Sequence, residues 1–199
     1  MNLLSRSRQG LSAGRINLLR GICYFFLAVG VAALGYVGFV SAGSKTYQAV
    51  EKEKFAQAIV IEQPHALLEG EVIGEIQVPR LGLDAMVVQG DSASNLQRAV
   101  GHISSSALPG EGGNVALAGH RDTFFRALHN VRQDDEITLM TLDGSYRYRV
   151  DSISVVGPED TQVLDNSGGD ILTLVTCYPF YFVGPAPRRF IVRAQRTSQ

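Results

Sequence analysis

Between Arg20 and Lys45 the chain carries no charged residue, and within that interval Ile22–Val40, ICYFFLAVGVAALGYVGFV, is almost entirely apolar. A helix rises about 1.5 Å per residue, so this run would extend roughly 29 Å, the thickness of a bilayer's hydrocarbon core. Its glycines would weaken a soluble helix but are frequent in membrane helices. Residues 21–41 are therefore expected to form a transmembrane anchor. The competing reading is a cleaved signal peptide, since Val40–Gly43, VSAG, offers small residues at a cleavage site. The apolar part of a signal usually runs about 7–15 residues, however, and this one is longer. Arg6, Arg8, Arg15 and Arg20 precede the span. Positive charge favours the cytoplasmic side, so residues 1–20 are expected to stay in the cytoplasm. The rest of this single-pass chain then lies outside the cytoplasmic (inner) membrane.

The net charge of −1 over 199 residues conceals an uneven distribution. Residues 1–45 hold five basic side chains and no acidic one, whereas the remainder holds 13 basic and 19 acidic residues. An acidic external domain is poorly suited to gripping a phosphate backbone, which argues against nucleic acid. Of the two cysteines, Cys23 falls in the apolar span and Cys177 in the external part. They cannot pair within one chain. An odd external cysteine points to an intermolecular disulfide or a functional thiol.

Ser44–Ile61 mixes charge with helix formers and reads as a juxtamembrane helix or stalk, ended at Gln63-Pro64; residues 42–70 are taken as helix and linker. From Val72 the pattern shifts to the period of strands. Short strands are expected near Val72–Val78 and Leu83–Val88, with a short helix in DSASNLQRAVGHI capped by Asp91 or Ser92. A strand over Asn114–Ala118 stops at Gly119-His120, and DTFFRALHNV is expected to be a short helix capped by Asp122, with Phe124 and Leu128 inward. Asp143-Gly144 marks a hairpin between Glu136–Leu142 and Ser145–Val156. A loop over Gly157–Asp170 is long enough to suspect function. Ile171–Thr176 and Arg189–Ala194 complete the set. Seven or eight short strands, one or two small helices and no regular β-α alternation imply a mainly β domain over residues 71–199, a closed or nearly closed barrel of mixed topology.

DILTLVTCYPFYF, Asp170–Phe182, is a β-branched run that reaches a cysteine just before a proline. Pro179 cannot donate to a ladder, so the strand is expected to end at Cys177, on the rim of the sheet. A rim thiol suits a nucleophile, although free cysteines are also often buried and inert. A nucleophilic thiol needs a partner, because the thiolate is the reactive form and its ordinary pKa is about 8.5. Of the four histidines, His65 falls in the linker, His129 follows a short helix, and His102 reads as a satisfied core residue. His120 ends a strand much as Cys177 does. Arg188 and Arg189 open the last strand, and a guanidinium near the thiol would hold a carbonyl or an oxyanion. Asp122 invites a triad, but helix capping accounts for it better. No Cys-x-x-Cys, His-x-x-x-His or His-Glu pair is present, so neither a metal nor a cofactor is expected.

TLVTC (Thr173–Cys177), with LAGHRD upstream and RFIV downstream, resembles the sortases, the membrane-anchored cysteine transpeptidases of bacterial envelopes. The likeness runs from about Gly70 to Ala194, and TCYPFYFVGPAPRRF looks most like class D. The resemblance implies an eight-stranded sortase-type β-barrel with Cys177 as nucleophile and His120 as general acid/base. It selects Arg189, which sits immediately before the hydrophobic last strand; neighbours on a strand point to opposite faces, so only one of the pair should face the thiol. It further implies that Thr176, Ala118 and Tyr178 contact substrate, and that the Gly157–Asp170 loop forms one groove wall. The implied reaction cleaves an LPXTG-like sorting signal through a thioester and passes the acyl group to an amine of a peptidoglycan precursor or a pilin lysine. A hydrolytic peptidase on the same barrel, or a tethered binding module with a buried cysteine, would be the alternatives.

Overall fold

The computed structural model describes residues 7–58, 67–166 and 168–197. Two units make up the chain, one ending at Gly43 and one beginning at Ser44. A single helix, α1 (Ser7–Ala58), carries the apolar run, and its segment Asn17–Ala56 is long and apolar enough to cross a membrane. Leu18–Phe39 are exposed, as lipid-facing side chains would be. The helix gives out at Ala58, and Gln63-Pro64 lies outside the described residues.

Within the second unit, the last turns of α1 are tied to the domain that follows. Lys52 Nζ donates to Glu75 Oε1 and Asp84 Oδ2, both at 2.7 Å. Hydrogen bonds to these two carboxylates push the Lys52 pKa up. Gln48 accepts from the Met86 amide at 2.7 Å and donates to the Arg98 carbonyl at 2.5 Å. Phe55 is buried. This stretch is therefore a docked helix as well as a spacer.

Eight strands close a barrel: β1 (Val72–Val78), β2 (Leu83–Gln89), β3 (Val100–His102), β4 (Asn114–Ala118), β5 (Glu136–Thr141), β6 (Ser145–Val156), β7 (Ile171–Tyr178) and β8 (Arg188–Arg196). The order around it is β1-β2-β3-β4-β7-β8-β6-β5, with β5 returning to β1. The β2–β3 and β4–β7 pairs are parallel and the others antiparallel, which is the mixed topology the strand pattern implied. Closure leaves no edge strand exposed to pairing.

Successive side chains alternate between the barrel's interior and its outer face. Val115 and Leu117 of β4, Leu172 and Leu174 of β7, and Val192 and Ala194 of β8 belong to the core. Asn114, Ala116 and Ala118, together with Thr173, Val175 and Cys177, therefore face outward. Thr173 is nonetheless fully buried. Its hydroxyl donates to Asn114 Oδ1 at 2.7 Å, and Asn114 Nδ2 donates to the Val163 and Asp165 carbonyls at 3.2 and 3.3 Å. One amide thus fastens the long β6–β7 loop to the outer wall beside β4 and β7.

Two local expectations are corrected. DTFFRALHNV is a turn over residues 122–125 and then a 3-10 helix over Arg126–Asn130, and no side chain caps that helix; Asp122 is exposed. A 3-10 turn places residues three apart on one face. Phe125 and Leu128 are accordingly the fully buried pair, and Phe124 is half-buried. The short helix after β2, α2 (Ala93–Leu96), has Ser92 at its N-terminal boundary, again without a side-chain cap.

His102 is the satisfied core histidine its surroundings suggested, 1% exposed. Its Nδ1 lies 2.8 Å from Gln89 Oε1, and its Nε2 lies 3.0 Å from both the Ala107 carbonyl and Ser106 Oγ. Burial pushes its pKa below the ordinary value, outweighing the Ala107 carbonyl and the Glu111 and Asp91 carboxylates, which push it up. On acidification the unfolded chain therefore takes up the proton first. The histidine's contribution is complete above about pH 6.5, the unfolded value, and is lost as pH falls from there toward the folded value.

Two outcomes are expected. The melting temperature of the native chain should fall more between about pH 7.5 and pH 5.5 than that of His102→Gln; parallel falls would remove the histidine from the pH response. Asn114→Ala should cost about 1–3 kcal/mol in urea unfolding, because the Thr173 hydroxyl loses its buried partner. Adding Thr173→Val should recover part of that loss.

Candidate active site

Two of the predicted residues, Cys177 and Arg189, lie on neighbouring strands, and His120 follows the end of a third. β7 continues one residue past Cys177 to Tyr178, so the thiol sits within the last turn of the ladder and not at its end. Cys177 is directly opposite Arg189 in the antiparallel β7–β8 pair, and Tyr178 is opposite Arg188. Residues directly opposite share a face, so Arg189 is on the thiol's outer face and Arg188 on the other. Cys177 is half-buried, which distinguishes it from an inert core thiol.

His120 arrives from the other side. The parallel β4–β7 register pairs Asn114 with Ile171 and Ala118 with Val175. His120 lies two residues past the end of β4, and Cys177 two residues past Val175 on β7. Backbone bonds continue the pairing past the strand: the Gly119 amide donates to the Val175 carbonyl at 3.1 Å, and Thr176 Oγ1 donates to the Gly119 carbonyl at 2.7 Å. The chain turns at once, since the His120 carbonyl accepts from the amides of Thr123 and Phe125 at 3.4 and 3.1 Å. Gly119 is required by packing: a Cβ there would lie 2.7 Å from the buried Phe125 ring. The histidine is half-buried at the end of this wedge.

The residues expected to contact substrate divide. Ala118 is half-buried in the outer row of β4 that leads to His120, and its small side chain keeps that row low. Thr176 belongs to the opposite face. It is 2% exposed and spends its hydroxyl on Gly119, so it braces the site from beneath and does not line a groove. Tyr178 is half-buried and stacks on Phe190 with ring centroids 6.1 Å apart. Phe180 meets both rings edge-on. This aromatic cluster roots the loop between β7 and β8. Asp122 is exposed and gives no support to a triad.

Sequence reasoning passed over two residues. Asn114 reads as an ordinary strand residue, yet it holds the β6–β7 loop. Arg121, beside His120, donates from Nη1 to the Pro179 carbonyl at 3.0 Å and from Nη2 to the Phe182 and Gly184 carbonyls at 2.8 and 3.0 Å. No local signal announces either role, because both sets of partners are about fifty or more residues away in the chain. Arg189 Nη1 meanwhile donates to the Ala186 and Arg188 carbonyls at 3.3 and 3.1 Å. Among the described residues no cluster of histidine, cysteine and carboxylates is arranged to hold a metal.

Comparison with known proteins agrees with this architecture. The profile of the sortase domain matches residues 76–197. Sortase D of Bacillus subtilis (strain 168) is 29% identical over 194 residues, covering 87% of this chain and 96% of the relative. The solved Sortase D5 transpeptidase of Clostridium perfringens superposes with a TM-score of 0.68 at 26% identity, covering 79% of this chain and 99% of that one. Sortase C of Clostridium perfringens, solved with the C-terminal cell wall sorting motif, gives a TM-score of 0.62 at 27% identity over 74% of this chain and 85% of that one. A closed eight-stranded barrel whose outer face carries a cysteine opposite an arginine thus coincides with a family profile spanning most of the barrel domain, and the chain belongs to the sortase family of cysteine transpeptidases, with its likeness to class D.

Proposed function

We propose that this transpeptidase cleaves an LPXTG-like sorting signal with Cys177, His120 and Arg189 as its catalytic residues. The observation that supports the assignment is the register: β7 sets Cys177 directly opposite Arg189 of β8, and β4, paired with β7 as far as Ala118 and Val175, ends two residues before His120. Cys177 Sγ attacks the carbonyl carbon of the signal's threonine. The C–N bond breaks, and His120 gives a proton to the departing amine. Arg189 donates to the oxygen that carries charge in the tetrahedral intermediate. In the second step an incoming amine attacks the thioester, a new amide forms, and the thiol is released with its proton restored through His120. Thioesters react readily with amines and slowly with water, so an open groove favours transfer over hydrolysis.

The acceptor is an amine of a peptidoglycan precursor or a pilin lysine, and the acyl donors are envelope proteins with C-terminal sorting signals. Support for this substrate class comes from the related sortase C solved with such a motif. Residues 1–20 are assigned to the cytoplasm, 21–41 to the membrane, 42–70 to the juxtamembrane helix and linker, and 71–199 to the extracytoplasmic catalytic barrel. A membrane-bound position suits an enzyme that meets its substrates as they emerge.

Cys177→Ala and His120→Ala should leave a folded chain whose cleavage of a quenched LPXTG-type peptide falls by roughly 10³-fold or more. Comparable turnover in either variant would remove that residue from the mechanism. Arg189→Lys should lower kcat by roughly 10²–10³-fold, since a point charge cannot replace the fork of donors, whereas Arg188→Lys should change little. The reverse ranking would reassign the arginine. Added amine should divert product from acid to amide; acid alone would mark a peptidase.

A further inference from the structure

Nine residues, 179–187, separate β7 from β8, and they contain no regular secondary structure beyond a turn. Their apolar tip is open to solvent, with Tyr181 75% and Val183 95% exposed. Such a segment has little buried area to define its shape, and ordering each backbone residue costs about 1–2 kcal/mol. Beyond the aromatic contacts of Phe180 and Tyr181, two guanidinium groups bind its carbonyls. Arg121 takes the carbonyls of Pro179, Phe182 and Gly184, which are the loop's near limb and tip, and lies 5.9 Å from the centre of the Phe182 ring. Arg189 takes the carbonyl of Ala186 in its far limb and that of Arg188, the first residue of β8.

We propose that Arg121 is a positioning residue for the transfer reaction, holding the β7–β8 loop in the shape that aims the Arg189 guanidinium. The inference rests on the role given above to Arg189. Pairing with Cys177 places the Arg189 backbone, but a long side chain with four rotatable bonds is not aimed by its backbone alone. One of the two carbonyls that receive Arg189 Nη1, that of Ala186, belongs to the same short loop whose other carbonyls Arg121 binds. A guanidinium presents five donors in a rigid fork, which lets one side chain hold three acceptors. Lysine, with a single compact head, cannot span them. Arg121 also follows His120 directly. The clamp therefore ties the strand end that bears the histidine to the loop that carries the arginine, and a shift in one is felt by the other.

The test uses the full chain in detergent, with Arg121→Gln and Arg121→Lys, the quenched LPXTG-type peptide and chymotrypsin. The expected result is a fall in kcat of roughly 10- to 100-fold in Arg121→Gln, with KM changed less, because an error in position near the reacting atoms is felt in the transition state. Chymotrypsin should cut after Tyr181 or Phe182 at least tenfold faster, while alkylation of Cys177 by iodoacetamide and the melting temperature stay close to the native values. Arg121→Lys should recover only a small part of kcat. Native turnover and native loop cleavage in a folded Arg121→Gln would overturn the proposal. A collapse of the melting temperature in both variants would overturn it too, making the residue a determinant of folding. If Cys177→Ala or Arg189→Lys kept native turnover of the peptide, the failure would lie with the catalytic assignment and not with the clamp.

Discussion

The parallel pairing of β4 with β7 is the constraint on which the active site depends. A register slip of one residue would turn every side chain of β7 to the opposite face. The thiol would enter the core and Thr176 would take its place outside. Core residues prevent this, since Val115, Leu117, Leu172 and Leu174 are all buried and any slip would expose the row. The pairing is then extended past the strand by the Gly119 amide and the Thr176 hydroxyl. Threonine before the cysteine thus has a mechanical use: it fastens the residue before the histidine to the strand that carries the cysteine.

Loops framing the site are held by a different device. The β6–β7 loop depends on the Asn114 amide, and the β7–β8 loop on Arg121 and Arg189. In each case a side chain rooted on the rigid barrel donates to backbone carbonyls that no ladder can satisfy. Hydrogen bonds from a charged donor contribute about 1.5–3 kcal/mol, more than neutral ones, which suits a segment with little apolar area to bury. The loop's aromatic base, Tyr178, Phe180 and Phe190, adds packing where the loop meets the barrel.

Docking of the last turns of α1 follows a similar pattern. Lys52 sits between a carboxylate of β1 and one of β2, and Gln48 serves two backbone groups. Lys52 is half-exposed, so water and salt screen the pair, and its value lies more in orientation than in stability.

Much of this was legible in the sequence because it depends on local periodicity. The charge-free span, the alternation in each strand, Asp143-Gly144 between β5 and β6, and the mixed barrel all follow from side-chain pattern and turn chemistry. The thiol, the histidine and the arginine were recognisable because each stands at a change of pattern, near the end or start of a strand. The cap at Asp122 was misread and the fully buried Phe125 missed, although Phe124 does pack against the core, because a 3-10 turn has a period of three and a segment of five residues cannot declare its period against an α-helix. Thr176 was misplaced on the groove for a related reason: alternation tells which residues share a face, but not which face is the interior. Only closure of the barrel decided that, by burying one row of β7 and opening the other. Arg121 and Asn114 were invisible for the same cause, since the carbonyls they hold become neighbours only once β4 lies beside β7. The sequence alone determined which strands and which reactive groups exist; the tertiary structure decided which of them meet, because contact across a barrel is set by register and not by distance along the chain.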